Sequence, residues 1–341
     1  MKIINKFLVI IIISFYCNIS FAQDKGILSF MYHRINENKP ALSSTNVKLE
    51  MFQQHIQLLE KTKYGFINAN EFKDYIDGKK KFENIKILLT IDDSFKSFYE
   101  NGWPILKEKK IPFILFVNTR EVNINHPNYM TWEQIRELKR SGIATIGGHS
   151  FSHEYFVNMT LEEIDEDIKK SQIDYQRELG EISDIFSHPF GETNVEIIKL
   201  LKKRGYKYMF GQHSGVISLK ENINYLPRFS MNENYGKIKR FQRILRSRPF
   251  DLKEYQPKIM MLKDQNPINI KLLFNENVKG INCFDNSGGK WRNTEISFQN
   301  NSEIELLFQL PFKKRRGRVN CTLPSKNKII KWWGYQYSVL E

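Results

Sequence analysis

From Lys25 to about Met231 the chain alternates short apolar runs with longer stretches of helical periodicity, and this alternation restricts the fold more than any other feature. Strand candidates are Ile27–Tyr32, Ile87–Ile91, Phe113–Val117, Ala144–Gly147, Ile185–His188 and Tyr206–Phe210. Helical patterns fall between them at Glu50–Lys61, Phe95–Lys109, Thr131–Ser141, Leu161–Leu179 and Val195–Arg204. Thr160 with Glu163 three residues later has the form of a capping box. Strands separated by helices of this length imply a parallel sheet with helical crossovers, and six or seven such units favour a barrel over a three-layer sheet.

The pattern then changes. Lys237, Lys239, Arg240, Arg243, Arg246 and Arg248 crowd a helical stretch, and beyond Pro257 apolar residues alternate as in half-buried strands. Strands are expected at 268–274, 281–284, 296–298, 304–310, 319–322 and 332–339, with Asn-rich and Gly-rich turns between them. The expected organisation is a barrel over 23–247, a linker over 248–261 and a small β-sandwich over 262–341. The sandwich carries no acid–base–metal constellation, so it is expected to have no chemistry of its own and to be dispensable for any that the barrel performs. Trp332, Trp333, Tyr335 and Tyr337 could offer flat faces to a ring-shaped ligand, but their alternating strand positions fit core better.

The first 22 residues bear on compartment. Lys2 and Lys6 precede an apolar run from Phe7 to Tyr16, and Ser20-Phe21-Ala22 supplies small residues before a cut, the order of a secretory signal peptide. The run is short for a membrane span, which needs about 20 apolar residues. The expected location is exported: periplasmic, secreted or associated with the cell envelope. Cys17 would leave with the leader, and the remaining pair, Cys283 and Cys321, permits a disulfide in an oxidising compartment. The chain has 52 Lys and Arg against 38 Asp and Glu. That balance suits an acidic partner. For an exported protein this means an anionic glycan or a membrane surface rather than nucleic acid, with Lys313–Arg318 and the basic helix as contact candidates.

Polar residues stand where three of the strands should end. Asp92 and Asp93 follow the apolar run Leu88–Ile91; His149 and His153 follow Gly147-Gly148; His188, Pro189, Phe190 and Gly191 follow Ile185–Ser187. Strand ends of a parallel barrel are where active sites assemble. Two imidazoles four residues apart with a carboxylate make a nitrogen–oxygen donor set for a first-row metal. Taken singly, each motif also has a plain reading: an Asp pair capping a helix, surface histidines, a turn.

Their order resembles the polysaccharide deacetylases of carbohydrate esterase family four. The family's usual motifs are Thr-Phe-Asp-Asp-Gly, His-Ser/Thr-x-x-His and Arg-x-Pro-Tyr-Gly; here they read Thr90-Ile-Asp-Asp-Ser94, His149-Ser-Phe-Ser-His153 and Pro189-Phe-Gly191. Met31-Tyr-His-Arg34 is also similar to the family's first barrel strand, and the resemblance spans roughly residues 25–235. It implies a distorted (β/α)7-type barrel and a metal-dependent hydrolase acting on N-acetylated glycans or glycolipids. By motif, Asp93, His149 and His153 would hold the metal, Asp92 would be the general base, and the Phe190 backbone N–H would face the oxyanion. Zinc suits such a set, and Co2+, Ni2+ or Mn2+ could serve. Ser187 stands where the third motif has Arg, and Arg228 is the candidate replacement. The family's late Leu-x-His motif is absent, which leaves His213 as the expected general acid and His188 or His33 as substitutes; His33, His188 and Pro189 are expected to line the substrate pocket. An O-deacetylase, or a glycan-binding protein with weak catalysis, are the rival readings.

Overall fold

The computed structural model describes residues 25–37, 42–313, 315–325 and 328–340. The leader and Cys17 lie outside the described residues. Seven parallel strands form the barrel wall: β1 (Ile27–Tyr32), β2 (Lys86–Asp92), β3 (Phe113–Val117), β4 (Ala144–Gly148), β5 (Ile185–Ser187), β6 (Tyr208–Phe210) and β7 (Phe229–Ser230). The order around the wall is β7-β1-β2-β3-β4-β5-β6, and a two-residue strand, Gly65–Phe66, pairs with β2 outside this path. All these pairings are parallel. The strands β1 and β3 are buried along their whole length, as parallel strands covered on both faces require. The path is open between β6 and β7, where only an isolated bridge from Phe210 to Leu226 is made.

Helices on the outside are fixed locally by their caps. Thr131 and Thr160 each accept a hydrogen bond from the backbone three residues on, and Gln134 and Glu163 return it, so both helices begin with capping boxes. The helix Leu161–Leu179 ends at Gly180, whose φ of 74° is the left-handed conformation that glycine adopts without a Cβ clash. The expected helix over 95–109 is shorter: a π-turn at Phe98–Gly102 leads into Trp103–Glu108.

The C-terminal sandwich has one sheet containing Ser247–Arg248, Met261–Leu262, Asn282–Asp285, Arg292–Asn293, Arg316–Pro324 and Ile330–Val339. Its other sheet contains Leu252–Gln256, Ile270–Phe274, Glu295–Phe298 and Glu303–Leu307. The stretch 248–261, expected as a linker, therefore belongs to the sandwich: Leu252–Gln256 pairs antiparallel with Ile270–Phe274, satisfying backbone groups that a free linker would leave to water. Cys283 and Cys321 face each other across the first sheet and form a disulfide. Trp333, Tyr335 and Tyr337 are sandwich core, whereas Trp332 packs edge-on against Phe229 and joins the barrel core. Barrel and sandwich thus share apolar packing.

Candidate metal centre and its surroundings

The strand β2 delivers both carboxylates to the mouth of the barrel. Consecutive side chains on an extended strand point to opposite sides, and the chain resolves this by leaving the strand abruptly: Asp93 and Ser94 have φ of 72° and 54°. Ser150, His153 and Phe190 are also left-handed, with φ of 70°, 54° and 58°. Such conformations in non-glycine residues cost of order 1–3 kcal/mol each and tend to cluster where function demands a particular backbone course. All five lie in the three motifs. Ser94 occupies the place of the resembled family's Gly, and its positive φ shows why Gly is suited there.

Asp92 turns inward and is completely buried. The Arg228 guanidinium grips it with two bonds, Nη1 to Oδ1 at 2.6 Å and Nη2 to Oδ2 at 2.8 Å. Arg228, itself fully buried, also donates to Thr90 Oγ1, Ser187 Oγ and the Gly211 carbonyl. Ser187 accepts from Arg228 at 2.8 Å and donates to Asp92 at 3.3 Å, so it links the pair. Burial alone would raise the Asp92 pKa, but the Arg228 charge and hydrogen bonds outweigh it and hold the carboxyl below its ordinary value.

Asp93 turns to the mouth. Its Oδ1 lies 3.1 Å from His149 Nε2 and 3.1 Å from His153 Nε2, and the potential ligand atoms of the three residues all fall within 4.8 Å of one another. His149 donates from Nδ1 to the Ser187 carbonyl at 2.7 Å. That bond fixes the tautomer of the neutral ring, so Nε2 presents a lone pair toward Asp93. A lone pair aimed at a carboxylate is unfavourable unless a cation lies between them. The donor set therefore fits a divalent metal, with room for further ligands, as in hydrolytic centres built from two histidines and a carboxylate. Burial would raise Asp93 and lower His153, but their mutual attraction wins: Asp93 is held well below its ordinary value and His153 is raised.

The loop carrying the histidines is braced from below. Asp167, on the inner face of the helix Leu161–Leu179, accepts from the Phe151 and Ser152 N–H groups at 2.8 and 3.0 Å, and the Tyr175 hydroxyl accepts from His149 N–H at 3.2 Å. Neither residue was singled out from the sequence. Acids at Asp167 and Asp174, in helical register with Ile164, Ile168 and Tyr175, are the sequence signal for such a brace.

The remaining candidates separate cleanly. His33 reaches the centre: its Nε2 is 4.0 Å from Asp93 Oδ2, and burial lowers its pKa against the pull of Asp93 and Asp92. Phe190 forms a wall, its ring 4.5 Å from His153 and stacked on Tyr155 at 4.0 Å. Pro189 is buried beneath it. His188 turns away to the Asn224 carbonyl at 3.2 Å, and burial pushes its pKa down to about 4. His213, expected as the general acid, is not brought to the centre. Its ring stacks on Tyr225 at 4.6 Å between barrel and sandwich, and burial drives its pKa down to about 3. Gly211 and the Arg228 N–H, which donates to the His213 carbonyl, hold this segment as the return into β7, with the side chain directed away from Asp93.

The sandwich touches this loop directly. Gln336 donates to the Phe190 and Gly191 carbonyls at 3.3 and 2.9 Å. Glu192, fully buried, pairs with Arg315 at 2.9 Å and Arg316 at 3.8 Å, and the Arg315 guanidinium lies 3.3 Å over the Tyr155 ring. These contacts tie the sandwich, expected to be dispensable for bond cleavage, to the third-motif loop.

Residues 79–209 match the family model described as polysaccharide deacetylase. That stretch holds all three strand-end motifs, and over it the chain is similar to the polysaccharide deacetylases. It is 23% identical over 235 residues to the poly-β-1,6-N-acetyl-D-glucosamine N-deacetylase of Staphylococcus aureus, a match covering 62% of this chain and 81% of that protein. Among solved structures, the deacetylase PplD of Streptococcus pyogenes, in complex with acetate, superposes with a TM-score of 0.57 at 22% identity, covering 61% of this chain and 93% of that one. IcaB from Ammonifex degensii gives 0.56 at 22% identity, covering 62% and 94%. Both likenesses concern the barrel fold, and each leaves more than a third of this chain unmatched.

Proposed function

We propose that this chain is an exported, metal-dependent N-deacetylase that hydrolyses acetamide groups on an N-acetylglucosamine polymer of the cell envelope or extracellular matrix. The observation that carries the reading is the pairing of a metal-type Asp93-His149-His153 cluster with a second carboxylate, Asp92, that is kept out of it by Arg228. Two adjacent carboxylates in different environments can do different work.

A divalent metal held by Asp93, His149 and His153 would polarise the acetyl carbonyl and acidify a water molecule; zinc is the first choice for this donor set, and cobalt, nickel or manganese could serve. Asp92 removes a proton from the attacking water, with Arg228 and Ser187 keeping its carboxylate ionised and oriented. The Phe190 N–H stabilises the oxygen that becomes negative as the carbonyl carbon turns tetrahedral. The C–N bond then breaks, acetate departs with the water oxygen, and the amine nitrogen takes a proton. The proton that Asp92 took from the water is the one that returns to the amine, and His33, the imidazole beside the centre that the cluster does not use, passes it on in this reading.

The leader over residues 1–22 supports export to the periplasm, envelope or exterior. Among the described residues no helix is long and apolar enough to cross a membrane. The basic surface supports an anionic partner, glycan or membrane surface, in addition to the N-acetylated substrate. The similarity to a poly-β-1,6-N-acetyl-D-glucosamine N-deacetylase supports that linkage as the first to test. Metal-restored protein is expected to release acetate faster from β-1,6-linked than from β-1,4-linked N-acetylglucosamine oligomers of equal length; equal or reversed rates would remove the linkage from the proposal.

A further inference from the structure

A cavity of about 250 Å³ opens between the barrel and the first sheet of the sandwich, and none of the three metal-ligand candidates lines it. Arg240, Arg243 and Arg318 line it together with Phe284, Trp291 and Trp332, and among the described residues no carboxylate does. Phe284 and Trp291 are 40% and 44% exposed, so part of each ring faces solvent at the hollow.

The charges are held in place and not neutralised. Arg240 lies between the Tyr235 and Trp332 rings at 5.4 and 5.8 Å, and its hydrogen bonds go to the Ser230 and Tyr235 carbonyls and to Ser214 Oγ. Arg318 donates from Nε to Gln336 Oε1 at 2.9 Å, which turns the guanidinium end toward the cavity. Glu192, whose charge reaches Arg318, is engaged by Arg315 and Arg316. Burial lowers the pKa of Arg240 to about 10, so it remains a cation at neutral pH. Partly desolvated guanidinium groups without a carboxylate partner attract an anion strongly. Aromatic faces at the rim are surfaces on which sugar rings stack. Gln336 joins the two regions, because it receives Arg318 and holds the Phe190 and Gly191 carbonyls.

We propose that this cavity binds an acidic residue of the glycan chain, a sugar bearing a carboxylate or phosphate, while a neighbouring N-acetylated unit occupies the metal centre. The inference rests on the deacetylase reading and deepens it: the polymer would be anionic as well as N-acetylated.

Binding is measured by calorimetry with the metal-loaded full chain, in an Asp92→Asn background that prevents turnover. The ligands are a neutral N-acetylglucosamine oligomer, an oligomer of equal length alternating with glucuronate, one carrying phosphate, and vesicles containing anionic phospholipid. One or both acidic oligomers should bind at least about tenfold more tightly than the neutral one, and which does so identifies the anion. Trp291→Ala and Arg243→Gln, both at exposed positions, should each remove most of that preference and leave acetate release from a short neutral oligomer unchanged in the Asp92 protein. Equal affinity for neutral and acidic oligomers, or a preference untouched by both substitutions, would overturn the proposal. Vesicle binding lost in Trp291→Ala without acidic-oligomer binding would overturn it in favour of a membrane surface. Acetate release from the neutral oligomer is scored separately: its absence counts against the deacetylase reading, and its presence with no acidic preference counts against the cavity alone.

Discussion

Replacing Arg228 by Met tests how the barrel keeps a charge where water does not reach. Asp92 and Arg228 are both fully buried, and their two bonds of 2.6 and 2.8 Å are the main compensation for the carboxylate. Removing one partner of such a pair leaves the other charge unpaired, at a cost of about 3–5 kcal/mol. Met fills much of the volume, so little of the loss comes from a cavity. Urea unfolding followed by circular dichroism should therefore show Arg228→Met destabilised by about that amount, with turnover reduced by about 10²-fold or more through the disoriented base. Arg228→Lys should recover only part, because an ammonium cannot reproduce the planar fork. The double variant Asp92→Asn/Arg228→Met should regain stability relative to Arg228→Met, since it removes the stranded charge. A single-variant cost below about 1 kcal/mol, or strictly additive single and double effects, would refute the claim that the pair acts as a unit.

Other outcomes follow from the same geometry. His149→Ala and His153→Ala should each lower bound metal and activity together, and the double variant should retain no stoichiometric metal by elemental analysis; a full equivalent retained would remove the metal assignment. Asp92→Asn should keep its metal while the rate falls about 10²-fold or more, and the opposite pattern, metal lost here and kept in Asp93→Asn, would reverse the two roles. Truncation after Tyr255 should give a protein that unfolds more readily or fails to fold, because Glu192 would lose Arg315 and Arg316 and the barrel would lose Trp332; an equally stable, active truncation would show that the sandwich is an appendage. Acidification should also destabilise the fold through His55, which is fully buried, donates to the Gly236 carbonyl at 2.6 Å and has its pKa pushed down to about 4 by burial. The folded pKa lies below the unfolded value of about 6.5, so the unfolded chain takes up the proton first. Stability is then intact above about pH 6.5 and falls by about 3 kcal/mol as pH drops toward about 4. His55→Phe should flatten that part of the urea-unfolding profile, and an unchanged profile would dismiss the assignment.

Local features of the fold were open to sequence reasoning because they depend on local periodicity. The apolar runs at Ile27–Tyr32 and Phe113–Val117 are strands with those bounds, and Thr160 with Glu163 forms the capping box its spacing suggests. The stretch over 248–261 was hidden because Leu252–Gln256 alternates poorly and is largely exposed on one side; its pairing with Ile270–Phe274 makes it a strand. The choice among histidines was hidden for a different reason. Parallel pairing sets Tyr32 opposite Ile91, so His33 emerges beside Asp92 and Asp93, and no local pattern encodes that register. His213 and Arg228 lie near one another in sequence, yet Arg228 turns into the barrel and His213 toward the sandwich. Gln336 lies far along the chain from the Phe190 carbonyl it holds, and an amide in a strand of aromatic core residues gives little hint of such a partner.

The most direct test is a stoichiometric assay on the full chain, apo and after metal restoration, with a β-1,6-linked N-acetylglucosamine oligomer. Acetate and newly formed free amine are counted in the same samples. The account predicts equal amounts of the two, dependent on restored metal and reduced about 10²-fold or more in Asp92→Asn. Metal bound at one equivalent with neither product formed from any N-acetylated glycan, or acetate released without amine, would contradict it.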